Sequence, residues 1–159
     1  MNKKMIVIVP AYNESGNIRN VIYDIQDQLP EADIVVINDG SVDDTLGEAA
    51  KTGAVVLDLP YNLGIGGAVQ TGYRYAALHG YDYAIRIDGD GQHDPAEVTQ
   101  MITELLSTNS DMIIGSRFLY KEGFQSTRFR KMGIHILSKL VYLITGKRST
   151  DPTSGYRVC

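Results

Sequence analysis

At 159 residues, with 43% hydrophobic and 21% charged residues, the chain has the length and composition of one soluble domain with a real core, without marks of disorder or repeats. Its apolar runs, such as Met5 to Val9 and Ile34 to Ile37, fall far short of the roughly 20 residues of a membrane-spanning helix, and its one cysteine, Cys159, excludes an internal disulfide and a cysteine-based metal site, so any metal is held by oxygen. The net charge of -4 hides an asymmetry: residues 1–115 carry six Lys and Arg against 17 Asp and Glu, residues 116–159 nine against two.

Apolar β-branched runs alternate with helical patterns along the chain, the pattern of a parallel sheet with crossover helices. The first strand is expected near 5–9. It follows two lysines and runs straight into Pro10, too short for a signal peptide, so the chain is expected to be cytoplasmic. Ile18, Val21, Ile22, Ile25 and Leu29 then recur at helical spacing until Pro30 closes the element. Further strands are expected near 33–37, 54–57, 83–87 and 111–115. Before the last of these, Asp94 as N-cap and Pro95 at the first helical position announce a helix with the apolar stripe Val98, Met101, Ile102, Leu105 and Leu106. From Ser126 to Thr145 a longer pattern sets Ile136, Leu137, Leu140, Val141 and Ile144 on one side, with Arg128, Arg130, Lys131 and Lys139 among its polar positions. Such a basic amphipathic segment serves as a solvated helix face, or meets a phosphate-rich ligand or an anionic membrane surface; peripheral contact with the inner face of the cell membrane is one expectation. No nucleic-acid-binding motif accompanies the charge, so nucleic acid is not an expected partner.

In open α/β sheets ligands sit beyond the carboxyl ends of the strands. The strongest constellation there is Ile85-Arg86-Ile87-Asp88-Gly89-Asp90-Gly91-Gln92, a strand that ends on two carboxylates one residue apart. Alternation brings Asp88 and Asp90 to one side, and the glycines let the backbone approach a ligand. Mg2+ or Mn2+ on a diphosphate needs only one or two protein carboxylates, and Gln92 can add a neutral oxygen. For an isolated pair of this kind a turn with solvated acids is the favoured reading, because the pattern is short; its context reverses that preference. Asp39 follows the second strand, where a carboxylate can accept a nucleobase N–H; Glu14 can act with it, and Tyr12 can pack against the base. Asp43 or Asp44 is expected to cap the next helix.

Several alternatives are excluded by spacing. Asn62-Leu63-Gly64-Ile65-Gly66-Gly67 lacks the third glycine of a dinucleotide fingerprint and follows the third strand, so it reads as a close turn opening a helix. There is no phosphate-binding loop of the G-x-x-x-x-G-K-[ST] kind and no G-x-S-x-G nucleophile. His79 and His135 are expected to be structural, and His93 to support the acidic turn rather than ligate metal.

The segments Val9-Pro10-Ala11-Tyr12-Asn13-Glu14, Ile37-Asn38-Asp39-Gly40-Ser41, Asn62-Leu63-Gly64, Asp88-Gly89-Asp90-Gly91-Gln92-His93, Gly115-Ser116-Arg117 and Thr153-Ser154-Gly155-Tyr156-Arg157 occur in an order and spacing that resembles glycosyltransferase family 2, especially its dolichol-phosphate-mannose-synthase-like branch. The resemblance implies an α/β, Rossmann-like GT-A fold with a mostly parallel central sheet flanked by helices, and a nucleoside-diphosphate sugar donor linked to UDP or GDP. It implies that Pro10, Tyr12, Glu14 and Asp39 surround the base, that Asp88 lies near ribose or metal, that Asp90 binds metal, and that Gln92 adds a metal contact. Ile37, Gly89 and Arg130 complete the expected nucleotide-contacting set.

The expected chemistry is inverting transfer of the sugar to a polyprenyl phosphate or a growing cell-envelope saccharide, with Mg2+ or Mn2+ offsetting diphosphate charge. Arg117 is the candidate for pyrophosphate stabilisation, followed by Arg157 and Arg130, because guanidinium groups match phosphate oxygens. The 159 residues are expected to form one domain, with a donor half over about 1–117 and a basic, helical acceptor-side segment over about 118–159. Relatives usually continue past Thr-Ser-Gly-Tyr-Arg, so the chain is expected to be truncated at its C-terminus. Apolar surface left near the basic helix would then favour pairing between chains, a homo-oligomer. The rival readings are a non-catalytic nucleotide-sugar-binding module and a nucleotidyltransferase, the latter disfavoured because Pro-Ala-Tyr-Asn-Glu stands where that class has a glycine-rich loop.

Overall fold

The computed structural model describes residues 3–115, 137–139, 141–144, 146 and 154–159. The elements run β1 (Met5–Ala11), α1 (Ile18–Gln28), β2 (Ala32–Asn38), α2 (Thr45–Ala50), β3 (Val55–Asp58), α3 (Gly64–Leu78), β4 (Tyr83–Arg86), a 3-10 turn (Pro95–Glu97) leading into α4 (Val98–Thr108), β5 (Ile113–Ile114) and β6 (Arg157–Val158). They form a six-stranded sheet in the order β3-β2-β1-β4-β6-β5, parallel from β1 to β4. The five expected strands and the two expected crossover helices are present. Strand β6 was not expected; it lies antiparallel between β4 and β5.

Strand alternation divides the apolar residues between two cores. Val7, Val9, Val36 and Ile85 face α1 and α4 through Ile18, Val21, Ile22, Ile25, Val98 and Met101. Ile6, Ile8, Val35 and Ile37 face α3 through Ala68 and Ala76. Both faces of the central strands are covered, so these strands read as continuous apolar runs. The stripe expected on α4 holds for Val98, Met101 and Leu105, but Leu106 is 58% exposed, because a helix seam of this width buries only one of two adjacent leucines. Asp94 caps as expected: its carboxylate accepts the Ala96 N–H at 2.9 Å.

Of the basic helical segment, residues 137–139 and 141–144 are helical, and Leu143 and Ile144 are strongly exposed. Ile136, Leu140, Arg128, Arg130, Lys131 and Arg117 lie outside the described residues.

Pro10 stands inside a central strand, normally forbidden because proline cannot donate to the ladder. Regular pairing of β1 with β4 has already stopped at Ile8 opposite Arg86, so the missing N–H interrupts no ladder. Beyond that point the Ile87 N–H still donates to the Ile8 carbonyl at 3.1 Å and the Gly89 N–H to the Pro10 carbonyl at 3.3 Å, so Pro10 and Gly89 lie side by side in the lining of the cleft described below. On the opposite face α3 lies close to β1, where a Cβ added at Gly72 would overlap the buried Ile8 side chain. Gly72→Val should therefore lower the unfolding free energy by about 1–3 kcal/mol in chemical denaturation. A variant as stable as the parent would show that α3 can shift away from the sheet without cost.

Candidate functional site

The carboxyl ends of β1, β2 and β4 and the start of α3 enclose a cleft of about 470 Å³. It is lined by Pro10, Ala11, Tyr12 and Glu14 after β1, Asp39 after β2, Asn62, Gly64, Ile65 and Ala68 at the opening of α3, and Asp88, Gly89 and Asp90 after β4. The structure thus brings together seven of the residues singled out from sequence. Four of the lining side chains are carboxylates, and none of the described lining residues is a lysine or arginine.

Each of the four carboxylates is held by its own donor. Asp39, 3% exposed, accepts the Leu63 N–H at 2.7 Å; its second oxygen has no partner among the described residues. Glu14 accepts the Asn17 side-chain amide at 2.9 Å, and Asp90 accepts the Gln92 N–H at 3.0 Å. Asp88 has the strongest support: Arg86 donates through Nε at 3.0 Å and Nη2 at 2.8 Å to one oxygen, and His93 Nε2 stands 3.6 Å from the other. Burial opposes the charge of Asp88, but His93 and Arg86 outweigh it and hold the carboxyl below the usual carboxylate range.

The turns that carry these groups are fastened to one another. Asn13, in the left-handed region at φ 56°, donates its N–H to Ser41 Oγ at 3.0 Å and accepts the Val42 N–H at 2.9 Å. The Glu14 N–H reaches Thr45 Oγ1 at 2.8 Å and the Ser15 N–H reaches Asp43 at 3.1 Å. Gly40, at φ +67°, packs so closely on the loop before α3 that a Cβ would come within 2.7 Å of the Asn62 nitrogen. Asp43 also accepts the Thr45 N–H at 3.1 Å and so does the capping work, whereas Asp44 holds the N-cap position of α2 without a side-chain cap bond. From sequence only Asp43, with Asp44, was expected to cap; Asn13, Gly40 and Ser41 entered as members of the family-like segments with no fastening role, although a polar turn directly following a buried strand was the available signal.

Other expected site residues lie elsewhere. Ile37 is fully buried in the core beneath the cleft and does not line it. Gln92 lines a second hollow, of about 340 Å³, with Asp24, Gln28, Gly91, His93, Asp94 and Pro95. The reason is Gly91, whose φ of +75° turns the chain and ends the alternation that would have carried Gln92 to the side of Asp88 and Asp90. Arg157 is half-buried on β6, opposite Arg86 in register, and its Nε donates to the Ser154 carbonyl at 3.0 Å; it does not line the cleft. Arg117 and Arg130 fall outside the described residues. His79 is structural, stacked on Tyr75 with ring centroids 3.9 Å apart; His135 is not described.

No group of three or more His, Cys, Asp and Glu suited to hold a metal occurs among the described residues. Two adjacent carboxylates facing one open cleft still fit a hard divalent cation that arrives with a diphosphate and takes its remaining ligands from phosphate and water. Asp90, with one oxygen on a backbone N–H, suits direct ligation better than Asp88, whose two oxygens face Arg86 and His93.

The model of the family described as "Glycosyl transferase family 2" matches residues 6–158. The chain belongs to that family. It is 30% identical over 98% of its length to UDP-N-acetylglucosamine--dolichyl-phosphate N-acetylglucosaminyltransferase of Methanococcus voltae, covering 69% of that protein. It is 32% identical over 97% of its length to undecaprenyl-phosphate mannosyltransferase of Micrococcus luteus, covering 65% of it. These similarities place it with the dolichol-phosphate-mannose-synthase-like branch of the family. Among solved structures, glucosyl-3-phosphoglycerate synthase from Mycobacterium tuberculosis, in complex with Mn2+, UDP-glucose and phosphoglyceric acid, superposes with a TM-score of 0.74 at 23% identity. That superposition covers 99% of this chain and 56% of the other, and establishes the GT-A architecture. The chain spans about two thirds of the length of the curated relatives it matches. No helix among the described residues is long and apolar enough to cross a membrane.

The fastened turns generate a pH dependence. The Thr45 hydroxyl bond, with those from Ser15, pulls the Asp43 carboxyl from 3.8 down to about 2, against burial. A depressed folded-state pKa adds stability that is complete above 3.8 and is lost as pH falls toward 2. In thermal melts the difference in Tm between the parent and Asp43→Ala should therefore shrink across that window. A difference that stayed constant from pH 5 to 2 would contradict the assigned role.

Proposed function

We propose that this chain is the nucleotide-sugar-binding portion of an inverting, metal-dependent glycosyltransferase that moves a sugar from a nucleoside diphosphate, UDP or GDP, to a polyprenyl phosphate. The observation that carries the reading is the convergence of Tyr12, Glu14, Asp39, Asp88 and Asp90 on one cleft at the carboxyl ends of parallel strands. Asp39 offers the carboxylate oxygen that Leu63 leaves free to a nucleobase N–H, with Glu14 and Tyr12 beside it; Pro10 and Gly89 give the backbone its close approach. Asp88 and Asp90 face the diphosphate end, Asp90 as the direct ligand of Mg2+ or Mn2+.

In the transfer, an acceptor oxygen forms its bond to the anomeric carbon as the bond from that carbon to the diphosphate oxygen breaks. The nucleoside diphosphate leaves with the electron pair, and attack from the opposite face inverts the centre. A bound divalent cation offsets the charge on the departing diphosphate. A polyprenyl phosphate acceptor is already anionic and requires no general base, in keeping with the relatives named for dolichyl and undecaprenyl phosphate. The nine lysines and arginines of residues 116–159, Arg117 and Arg130 among them, are the source of further positive charge for two phosphate-bearing substrates and for an anionic membrane surface.

Asp90→Ala should lower the Mn2+-linked affinity for UDP or GDP at least about 100-fold, the upper end of what even an outer partner of a metal ligand costs. Isothermal calorimetry with and without Mn2+ measures it. An unchanged metal-linked affinity would remove Asp90 from the metal site. Asp39→Asn should instead alter the ranking of UDP against GDP, since one acceptor oxygen becomes a donor; an unaltered ranking would remove Asp39 from the base.

A further inference from the structure

The segment Ser154-Gly155-Tyr156-Arg157 closes on the β4 turn from behind the cleft. A Cβ at Gly155 would overlap the Asp88 carboxylate and come within 2.8 Å of Arg86 Nη2, so only glycine lets the backbone lie against that ion pair. The Tyr156 ring stacks on His93 with centroids 4.9 Å apart and an interplanar angle of 25°. Its hydroxyl donates to the Asp94 carbonyl at 2.7 Å, fixing the residue that follows His93. Ser154, fully buried, accepts the Tyr156 N–H at 3.2 Å and holds the turn. His93 in turn is 8% exposed in its side chain and faces Asp88 Oδ2, the oxygen that Arg86 does not bind. Neither His93 nor Tyr156 lines the cleft.

We infer that His93 and Tyr156 are positioning residues for Asp88: the Tyr156 ring and hydroxyl lock His93 in place, and His93 and Arg86 together fix the Asp88 carboxylate and with it the Asp88-Gly89-Asp90 turn. This inference rests on the glycosyltransferase reading above, because its effect is felt where Asp90 meets the metal-bound diphosphate. The chain thereby makes the metal-facing end of the cleft depend on a strand that returns about 70 residues later in sequence, from the far side of the basic segment. A loosely held Asp88 would swing its charge toward the cation or away from it, and the one-residue link through Gly89 would carry that disorder to Asp90.

The test compares the parent with His93→Ala, His93→Gln and Tyr156→Phe. Each is titrated calorimetrically with UDP and with GDP, with and without Mn2+, and its Tm is recorded. His93→Ala should lower the Mn2+-linked affinity about 10- to 100-fold, the range typical of partners behind a metal ligand, and leave the metal-free affinity unchanged. His93→Gln, which restores an N–H donor near the same place, should recover most of the loss at the same Tm. Tyr156→Phe keeps the ring and removes only the bond to Asp94, so it folds even where His93→Ala does not, and it should show a smaller loss of the same metal-dependent kind. The inference is overturned by a His93→Ala chain that folds and keeps its metal-linked affinity, by a Gln variant that recovers nothing, or by a Tyr156→Phe variant that lowers metal-free and metal-linked affinities alike. A parent that binds neither nucleotide with Mn2+ would instead sink the glycosyltransferase reading and this inference with it.

Discussion

Four carboxylates line one cleft, and holding that much like charge in fixed places is the constraint around which the rest of the site is organised. Glu14, Asp39, Asp88 and Asp90 all line the same space of about 470 Å³, with no lysine or arginine among the described lining residues. Asp39 is buried and Glu14 and Asp88 are half-buried, and a carboxylate taken out of water is costly unless it finds a donor. Each does: an asparagine amide for Glu14, a backbone N–H for Asp39 and for Asp90, a guanidinium for Asp88. The result is a cleft that is strongly negative yet structurally satisfied. The described lining itself offers an anionic diphosphate no positive charge, which is the physical ground for a divalent cation as part of the ligand.

The same constraint accounts for the fasteners between turns. Asn13, Ser41, Asp43 and Thr45 tie the loops after β1 and β2 by side-chain to backbone bonds. Hydrogen bonds fix direction where apolar contact fixes only proximity, and the carboxylate proposed to read the base, Asp39, needs direction. On the other side of the cleft the β4 turn is fixed by residues from the end of the chain, which lays β6 between β4 and β5. The site is therefore assembled from both ends of the sequence across a parallel sheet.

Much of this was legible in the sequence. Continuous β-branched runs gave away the buried strands, and the 3.6-residue spacing of Ile18, Val21, Ile22 and Ile25 gave α1, because burial on two faces or one stripe leaves those periods behind. Strand β6 was invisible: Arg157 and Val158 are too few to carry a period, and their place is decided by β4 and β5. Asp88 and Asp90 were found by alternation, but the same rule misplaced Gln92, since a glycine at positive φ resets it. The ion pair of Arg86 with Asp88 obeys that rule as well, two residues apart on one face of a strand, and could have been read. Ile37 belongs to the core because its side chain points away from the polar turn that starts one residue later.

The central claim is that a divalent cation strengthens the hold of this cleft on a diphosphate. Calorimetric titration of uridine and UDP, and of guanosine and GDP, each with and without Mn2+, tests it most directly. Saturating Mn2+ should strengthen the diphosphate of the preferred base and leave the nucleosides unchanged. A diphosphate of either base that binds equally well with and without Mn2+ would contradict the account, and would assign the diphosphate charge to the chain's own arginines alone.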